Sequence, residues 1–232
     1  MRIAFCLFEY SPYSGLSLDF RRILQESLER GHDAHVFVSA WQGEALKGVP
    51  FTLLPPWRFA DTNHTKNKQF HDKLRSELTG NRFDIVVGFN KMPGLDVYYG
   101  ADICYVGRTE QRPGFLKLGR RYKRRKAFEA AVFGLQSKTL ILSLSERQKS
   151  EYQEHYFTPN ERFHLLPPTL DSSFSPIDDR ARQKEKLRQE LELPVNDLLL
   201  MFIGAGVATK GLDRAIDALA SLSQDLQKRT SL

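Results

Sequence analysis

The sequence predicts an α/β protein: a Rossmann-like, doubly wound parallel sheet followed by the start of a second Rossmann-like domain. Three observations lead there. Short apolar runs without polar alternation recur along the chain, as strands covered on both faces require. Helical patterns lie between many of them, the order expected of parallel strands joined by crossover helices. After a proline-bearing stretch, "LLPPTLDSSFSPIDD", the pattern begins again with a charged helix, a strand, a glycine turn and a helix.

The expected strands are residues 3–8, 34–38, 51–54, 85–89, 139–144, 163–166 and 198–203. Leu16, Phe20, Ile23, Leu24 and Leu28 share one helical face, and Gly31 is its expected stop. Phe70, Leu74 and Leu78 mark a second helix. Ser145 suits the N-cap of a helix running to Tyr156, and Asp178 or Asp179 begins a charged helix through Leu191. The closing "KRTSL" starts a further strand. This reading assigns residues 1–168 to an N-terminal domain, 169–194 to a linker and charged helix, and 195–232 to an incomplete C-terminal domain.

The 34 Lys and Arg against 28 Asp and Glu leave a formal charge of +6, which favours an anionic partner without choosing among nucleic acid, membrane and phosphorylated ligand. Cys6 and Cys104 sit in apolar stretches with no metal-ligand or C-x-x-C spacing and read as reduced core residues. The N-terminal run is too short for a signal-peptide h-region and reads as a first strand. No stretch approaches the about eighteen consecutive apolar residues of a membrane span, so the expected location is cytosolic or membrane-peripheral.

In an open parallel sheet the loops after the strands carry the ligand. In "FEYSPYSGLSLDF", Gly15 lets backbone approach a ligand beside a helix N-terminus, with Asp19 in the first turn; alternatively Gly15 shapes a turn and Asp19 complements the helix dipole. In "VVGFNKMPGLDVYYGADICYV", Asn90, Lys91, Asp96 and Asp102 crowd the end of an apolar strand. A carboxylate there can orient or deprotonate a sugar hydroxyl, and Lys91 can pair with an acidic substrate group. The other reading makes Asp96 a helix cap and Asp102 a solvated turn residue.

"FIGAGVATKGLDRAIDALA" is neither a dinucleotide fingerprint nor a P-loop, because Thr209 stands where GxGxxG needs glycine and the order Thr209-Lys210-Gly211 is not Gly-Lys-Ser/Thr. Gly204 and Gly206 for backbone access, Lys210 as a point charge and a helix start after Gly211 suit a diphosphate, or else a tight turn.

Residues 115–133, "FLKLGRRYKRRKAFEAAVF", hold Lys117, Arg120, Arg121, Lys123, Arg124, Arg125 and Lys126 beside Phe115, Leu118 and Tyr122. This mix describes a segment lying on an anionic membrane, or a solvated helix face. No nucleic-acid-binding signature accompanies the charge, so no nucleic acid is expected as a partner.

Together, "RIAFCLFEYSPYSGLSLDF", "VVGFNKMPGLDVYYGADICY", "ERFHLLPP" and "IGAGVATKGLDRAIDALASL" resemble the lipopolysaccharide core glucosyltransferase I (WaaG/RfaG) family. These are retaining GT-B enzymes of glycosyltransferase family 4. The resemblance implies a bacterial hexosyltransferase, peripheral on the cytoplasmic face of the inner membrane, that moves glucose from UDP-glucose to a heptose of the inner core. It implies no metal or other cofactor. By the same resemblance Gly15 and Asp19 face the reaction centre, Asp102 lies near the place of a family histidine, and Gly204 and Lys210 serve the donor diphosphate. Asn90 and Lys91 fall to the acceptor side, and residues 115–133 to the membrane.

The sequence also departs from the family. Ser14 and Leu18 replace a glycine and an arginine of the usual "GGLQRDF", and Ala205 stands where many family 4 enzymes carry an arginine. The pair of glutamates that holds the donor's sugar and ribose has no counterpart, so weak or no transfer is expected of this chain alone. A non-catalytic membrane-surface protein of the same fold, or a family 4 enzyme using another nucleotide sugar, are the alternatives.

Overall fold

The computed structural model describes residues 1–58, 62–110, 113–168, 178–194, 196–204 and 210–231. The linker expected at 169–177 and the centre of the glycine loop, 205–209, lie outside them. The chain divides into two compact units, Met1–Thr169 and Leu170–Leu232.

The first unit is built on seven parallel strands: β1 (Arg2–Tyr10), β2 (Asp33–Trp41), β3 (Phe51–Leu53), β4 (Ile85–Gly88), β5 (Val97–Gly100), β6 (Leu140–Ser143) and β7 (Phe163–Leu165). Their order across the sheet is β3-β2-β1-β4-β5-β6-β7. β1 sits between β2 and β4, in register Ile3↔Ala34 and Ile3↔Ile85. Residues 3 to 7 of β1 are all buried, which explains the unbroken apolar run: both faces of the sheet are covered. β5 was not among the expected strands. Its four residues, Val-Tyr-Tyr-Gly, follow a turn and carry too short an apolar signal to stand out, but they bridge β4 and β6 and both tyrosines are buried.

Helix α1 (Gly15–Glu29) covers one face with Phe20 and Leu24, packed on Phe5, Phe89 and Tyr99. The other face is covered by α2 (Asn63–Gly80), α4 (Arg120–Phe133) and α5 (Glu146–Tyr156), with the short α3 (Tyr105–Thr109) before α4. The aromatic rings of Phe133 and Tyr152 stack there at 3.5 Å. Ser145 caps α5 as expected, its hydroxyl accepting from the Gln148 amide. Both cysteines are buried and free. Arg162, also buried, donates to the carbonyls of Val132, Gly134 and Thr139, so a cation meets the carbonyl-rich C-terminal end of α4.

The most heavily used polar group of this unit is Glu129 on α4, fully buried. Its carboxylate accepts from the Tyr105 and Val106 amides at 2.8 and 3.0 Å, from the Tyr156 hydroxyl at 2.9 Å and from the Lys91 ammonium. Lys91 in turn donates to the Ile103 carbonyl at 2.7 Å and lies over the Tyr152 ring. A buried carboxylate is tolerated only when paired and hydrogen-bonded, and here one group ties the β4 loop, α3, α4 and α5 together.

The second unit holds α6 (Arg180–Glu190), β8 (Leu198–Leu199), α7 (Leu212–Ala220), α8 (Gln224–Lys228) and β9 (Thr230–Ser231). β8 pairs in parallel with β9, Leu198 opposite Thr230, so "KRTSL" does begin a strand. None of its described residues is buried, in contrast to the first unit.

Phe133→Ala should cost about 3–5 kcal/mol by removing a fully buried ring from a stack, measured by urea unfolding. Glu129→Gln should cost about 3 kcal/mol, because Lys91 keeps its charge in a half-buried site without its partner; adding Lys91→Met should restore part of that loss.

Candidate active site

Ligands of open parallel sheets sit beyond the carboxyl ends of the strands, at the place where the strand order reverses. Here that place is the end of β1 and β4. The β4 loop is anchored to β1 by the Asn90 Oδ1, which accepts from the Phe8 amide at 2.7 Å. The β5 loop is held from α5: Gln148 Nε2 donates to the carbonyls of Gly100 and Asp102 at 2.6 and 2.9 Å, and the Tyr152 hydroxyl to that of Asp102 at 2.8 Å.

A cavity of about 280 Å³ opens at these loop ends, on the α2/α4 face. Asn90, Lys91 and Asp102 form one wall, His64 and Asn67 of α2 another, and Arg124 and Arg125 of α4 a third, with Phe8 and Phe128 as apolar lining and Arg108 near the α3 side. Arg124 donates to Thr65 Oγ1 at 2.9 Å, and the Arg125 guanidinium lies 5.3 Å from the Tyr105 ring centre. The protein packed around Asp102 raises its pKa above the usual carboxylate range, as does Glu129, while Lys91 and the nearby Tyr98 hydroxyl act the other way. His64 has its pKa lowered by desolvation and by Arg124, Arg121 and Arg125, which favours the neutral imidazole.

The structure sorts the predicted residues into separate places. Asn90 and Asp102 do meet in the cavity. Since Asn90 Oδ1 is occupied, the group it offers is its amide N–H. Lys91 lines the same wall, but its ammonium is held by Glu129 and the Ile103 carbonyl rather than left for an acidic group on a ligand. Asp96 caps no helix: directly before β5, its carboxylate accepts from the Val86 amide of the neighbouring β4 at 2.8 Å.

Gly15 and Asp19 lie on α1, against the opposite face of the sheet. Asp19 sits beyond the first turn, so the dipole reading does not apply to it. Its carboxylate accepts from the Tyr99 hydroxyl at 2.7 Å and faces Arg22 at 3.6 Å, a geometry that fixes the side chain at the end of β5. Partial burial and Asp19 push the Tyr99 phenol well above its ordinary range, so it stays a donor. A Cβ at Gly15 would meet nothing within 4 Å, so no packing inside the chain demands glycine there.

Gly204 and Lys210 belong to the second unit, and residues 205–209 between them lie outside the described ones. The two flanks come together: a Cβ on Gly204 would stand 3.1 Å from Lys210 Cγ. Gly211, at φ +79°, occupies the N-cap of α7 in the left-handed region that glycine adopts without penalty.

The basic segment divides between two surfaces. Arg124 and Arg125 are half-buried on the cavity, whereas Arg120, Arg121, Lys123 and Lys126 are exposed, as are Phe115, Leu116 and Leu118 of the 3-10 turn Gly114–Leu118; Lys117 of that turn is half-buried and donates to the Glu110 carbonyl at 2.7 Å. His64, Asn67, Arg108, Tyr99 and Glu129 were not anticipated. Glu129 had a signal: it is the lone acid in the run "RRYKRRKAFEAAVF", at the border where basic residues give way to apolar ones. Among the described residues, no group of three or more His, Cys, Asp or Glu is placed to hold a metal ion.

No protein-family model matches the chain. The lipopolysaccharide glucosyltransferase WaaG of Escherichia coli K12 is 38% identical over 233 residues, an alignment covering 100% of this chain and 62% of that protein. A crystal structure of WaaG, described as a glycosyltransferase of lipopolysaccharide biosynthesis, superposes with a TM-score of 0.87 over 98% of this chain and 61% of its own. Anabaena HepE in complex with UDP-glucose shares the fold at 16% identity and a TM-score of 0.64, over 100% of this chain and 59% of its own. The chain thus spans about three fifths of the length of these relatives, and along all of that span its sequence and its Rossmann-like GT-B fold are similar to those of the lipopolysaccharide glucosyltransferase WaaG.

Proposed function

We propose that this chain carries the acceptor-binding half and the first donor contacts of a retaining glucosyltransferase, moving glucose from UDP-glucose to a heptose of the lipopolysaccharide inner core. The observation that carries the reading is the 38% identity to WaaG over an alignment that covers the entire chain. In the reaction the bond between the glucose anomeric carbon and the diphosphate oxygen breaks, and UDP leaves with the electron pair. A new bond forms from the same carbon to an acceptor hydroxyl, whose proton is lost.

The chain's own groups take distinct parts. Lys210 places positive charge by the diphosphate, where negative charge grows as UDP departs. Asp19, held by Tyr99, orients the acceptor hydroxyl at the sheet edge. Asp102 and the Asn90 amide contact acceptor hydroxyls in the cavity. No metal enters this scheme, the lysine doing the charge work.

The exposed apolar residues Phe115, Leu116 and Leu118, next to half-buried Lys117 and exposed Arg120, Arg121, Lys123 and Lys126, support docking on the anionic cytoplasmic face of the inner membrane. No helix among the described residues is long and apolar enough to cross a membrane.

Transfer of labelled glucose from UDP-glucose to lipopolysaccharide truncated at the inner-core heptoses should be weak from this chain alone, and Asp19→Asn should lower that rate by about 10²-fold with the folded content unchanged by circular dichroism. Product from another nucleotide sugar alone would reassign the donor; vesicle binding without any transfer would favour the non-catalytic reading. Sedimentation with phosphatidylglycerol vesicles, and not with phosphatidylcholine, is expected. Arg120→Ala, Lys123→Ala and Lys126→Ala should each weaken it by about 1 kcal/mol.

A further inference from the structure

Around the α2/α4 cavity the cations outnumber the charges that answer them. Glu129 is matched by Lys91, which leaves Asp102 as the remaining acid among the lining residues against Arg108, Arg124 and Arg125. Among the described residues none of these three arginines forms an ion pair with a carboxylate. Arg124 and Arg125 are nonetheless half-buried and held, one by Thr65 and the other against the Tyr105 ring. Bringing guanidinium groups together at a partly desolvated surface costs free energy through mutual repulsion, unless an anion offsets it. Asn67 and Asn90 add neutral polar groups at the same walls, and Phe8 and Phe128 an apolar surface such as the carbon face of a sugar covers. The cavity, about 280 Å³, is close to the lower end of the range of about 300–1,000 Å³ typical of small-molecule sites. It therefore suits an oxyanion together with part of the saccharide that bears it.

We infer that Arg108, Arg124 and Arg125 form an oxyanion site, specific for a phosphate or carboxylate carried on the acceptor saccharide, which anchors that saccharide in the cavity. The inference rests on the acceptor assignment made above for this cavity, and it adds the chemical class of the group recognised. Planar guanidinium groups grip phosphate and carboxylate oxygens by paired, charge-assisted hydrogen bonds, which a single lysine cannot do. The site is distinct from the outward basic face of α4: Arg124 and Arg125 share the inward side with Phe128 and Glu129, while Arg120, Lys123 and Lys126 look out.

The test is a binding titration of the full chain, without donor, followed by NMR of the His64 ring and by calorimetry. The probes are glucose 6-phosphate, glucose, inorganic phosphate and phosphatidylglycerol vesicles. Glucose 6-phosphate should bind and perturb the His64 resonances, glucose should bind at least about tenfold more weakly, and inorganic phosphate should compete. Arg124→Gln/Arg125→Gln should weaken the sugar phosphate by about tenfold or more. Asn67→Asp, which brings a carboxylate into the cavity while leaving both arginines and their contacts in place, should weaken it as well. Arg120→Ala/Lys123→Ala/Lys126→Ala should weaken vesicle binding and leave the sugar phosphate unaffected.

Equal affinity for glucose and glucose 6-phosphate would overturn the inference, as would unchanged binding in both Arg124→Gln/Arg125→Gln and Asn67→Asp. So would a loss confined to the outer-face variant, which would assign the anion to the membrane surface. Because no donor is present, this result is separate from the transfer assay: a chain that binds the sugar phosphate here and transfers no glucose retains the oxyanion site and loses the glucosyltransferase reading.

Discussion

Glu129 has no solvent contact and cannot be left as a bare charge, so the chain surrounds it with donors: two amides of α3, a tyrosine hydroxyl of α5, and the ammonium of Lys91 from the β4 loop. Those donors come from three separate stretches of sequence. Satisfying one carboxylate therefore fixes where α3 begins, how far the β4 loop reaches and how α4 sits over the sheet. The cavity inherits its shape from that arrangement, since Lys91 and Glu129 both line it and Arg124 and Arg125 lie one turn earlier on the same helix. Had the pair been replaced by apolar residues, the packing could have been as stable, but the loops would have lost the directional bonds that set their positions.

The same constraint explains how a single basic helix serves two surfaces. Glu129 turns one side of α4 inward, which brings Arg125, one turn earlier, and Val132, three residues later, onto the covered side. Arg120, Lys123 and Lys126 are placed outward by the same rotation. A helix rotated by one residue would offer different arginines to the cavity and spoil the apolar contacts of Val132 and Phe133 below it.

Much of the fold was legible because a doubly covered sheet writes itself as apolar runs, and six of the seven strands of the first unit announced themselves that way. The exception, β5, has tyrosines whose burial depends on partners from α4, the β4 loop and α1 that no local pattern reveals. The candidate site was legible in part. Asn90 and Asp102 were visible as polar residues crowding a strand end. Lys91 was visible too, but its partner lies 38 positions on, so an ammonium that looked available was already engaged. For Arg124 and Arg125 the periodicity was on the page; what charge counting missed is that a run of cations on a helix is two sets of cations, separated by the burial of one neighbouring acid.

Asp19 shows how far such reasoning extends. Its position after a glycine at a strand end marked it as a candidate, while its orientation depends on Tyr99, eighty residues away and on the unrecognised strand β5. The phenol is kept protonated by its surroundings and so donates to the carboxylate, which fixes the direction of the Asp19 side chain. Two carboxylates of similar sequence context are thereby separated in chemistry. Asp19 is a hydrogen-bonded acceptor on the α1 face, whereas desolvation and Glu129 raise the pKa of Asp102 on the α2/α4 face above that of an ordinary aspartate. On the proposed reading, a hydroxyl brought to the strand ends is oriented by Asp19, while the arginines that line the cavity with Asp102 are left to hold an anion. The division of labour between orienting a reacting group and anchoring its carrier follows from which face of the sheet each residue was folded onto.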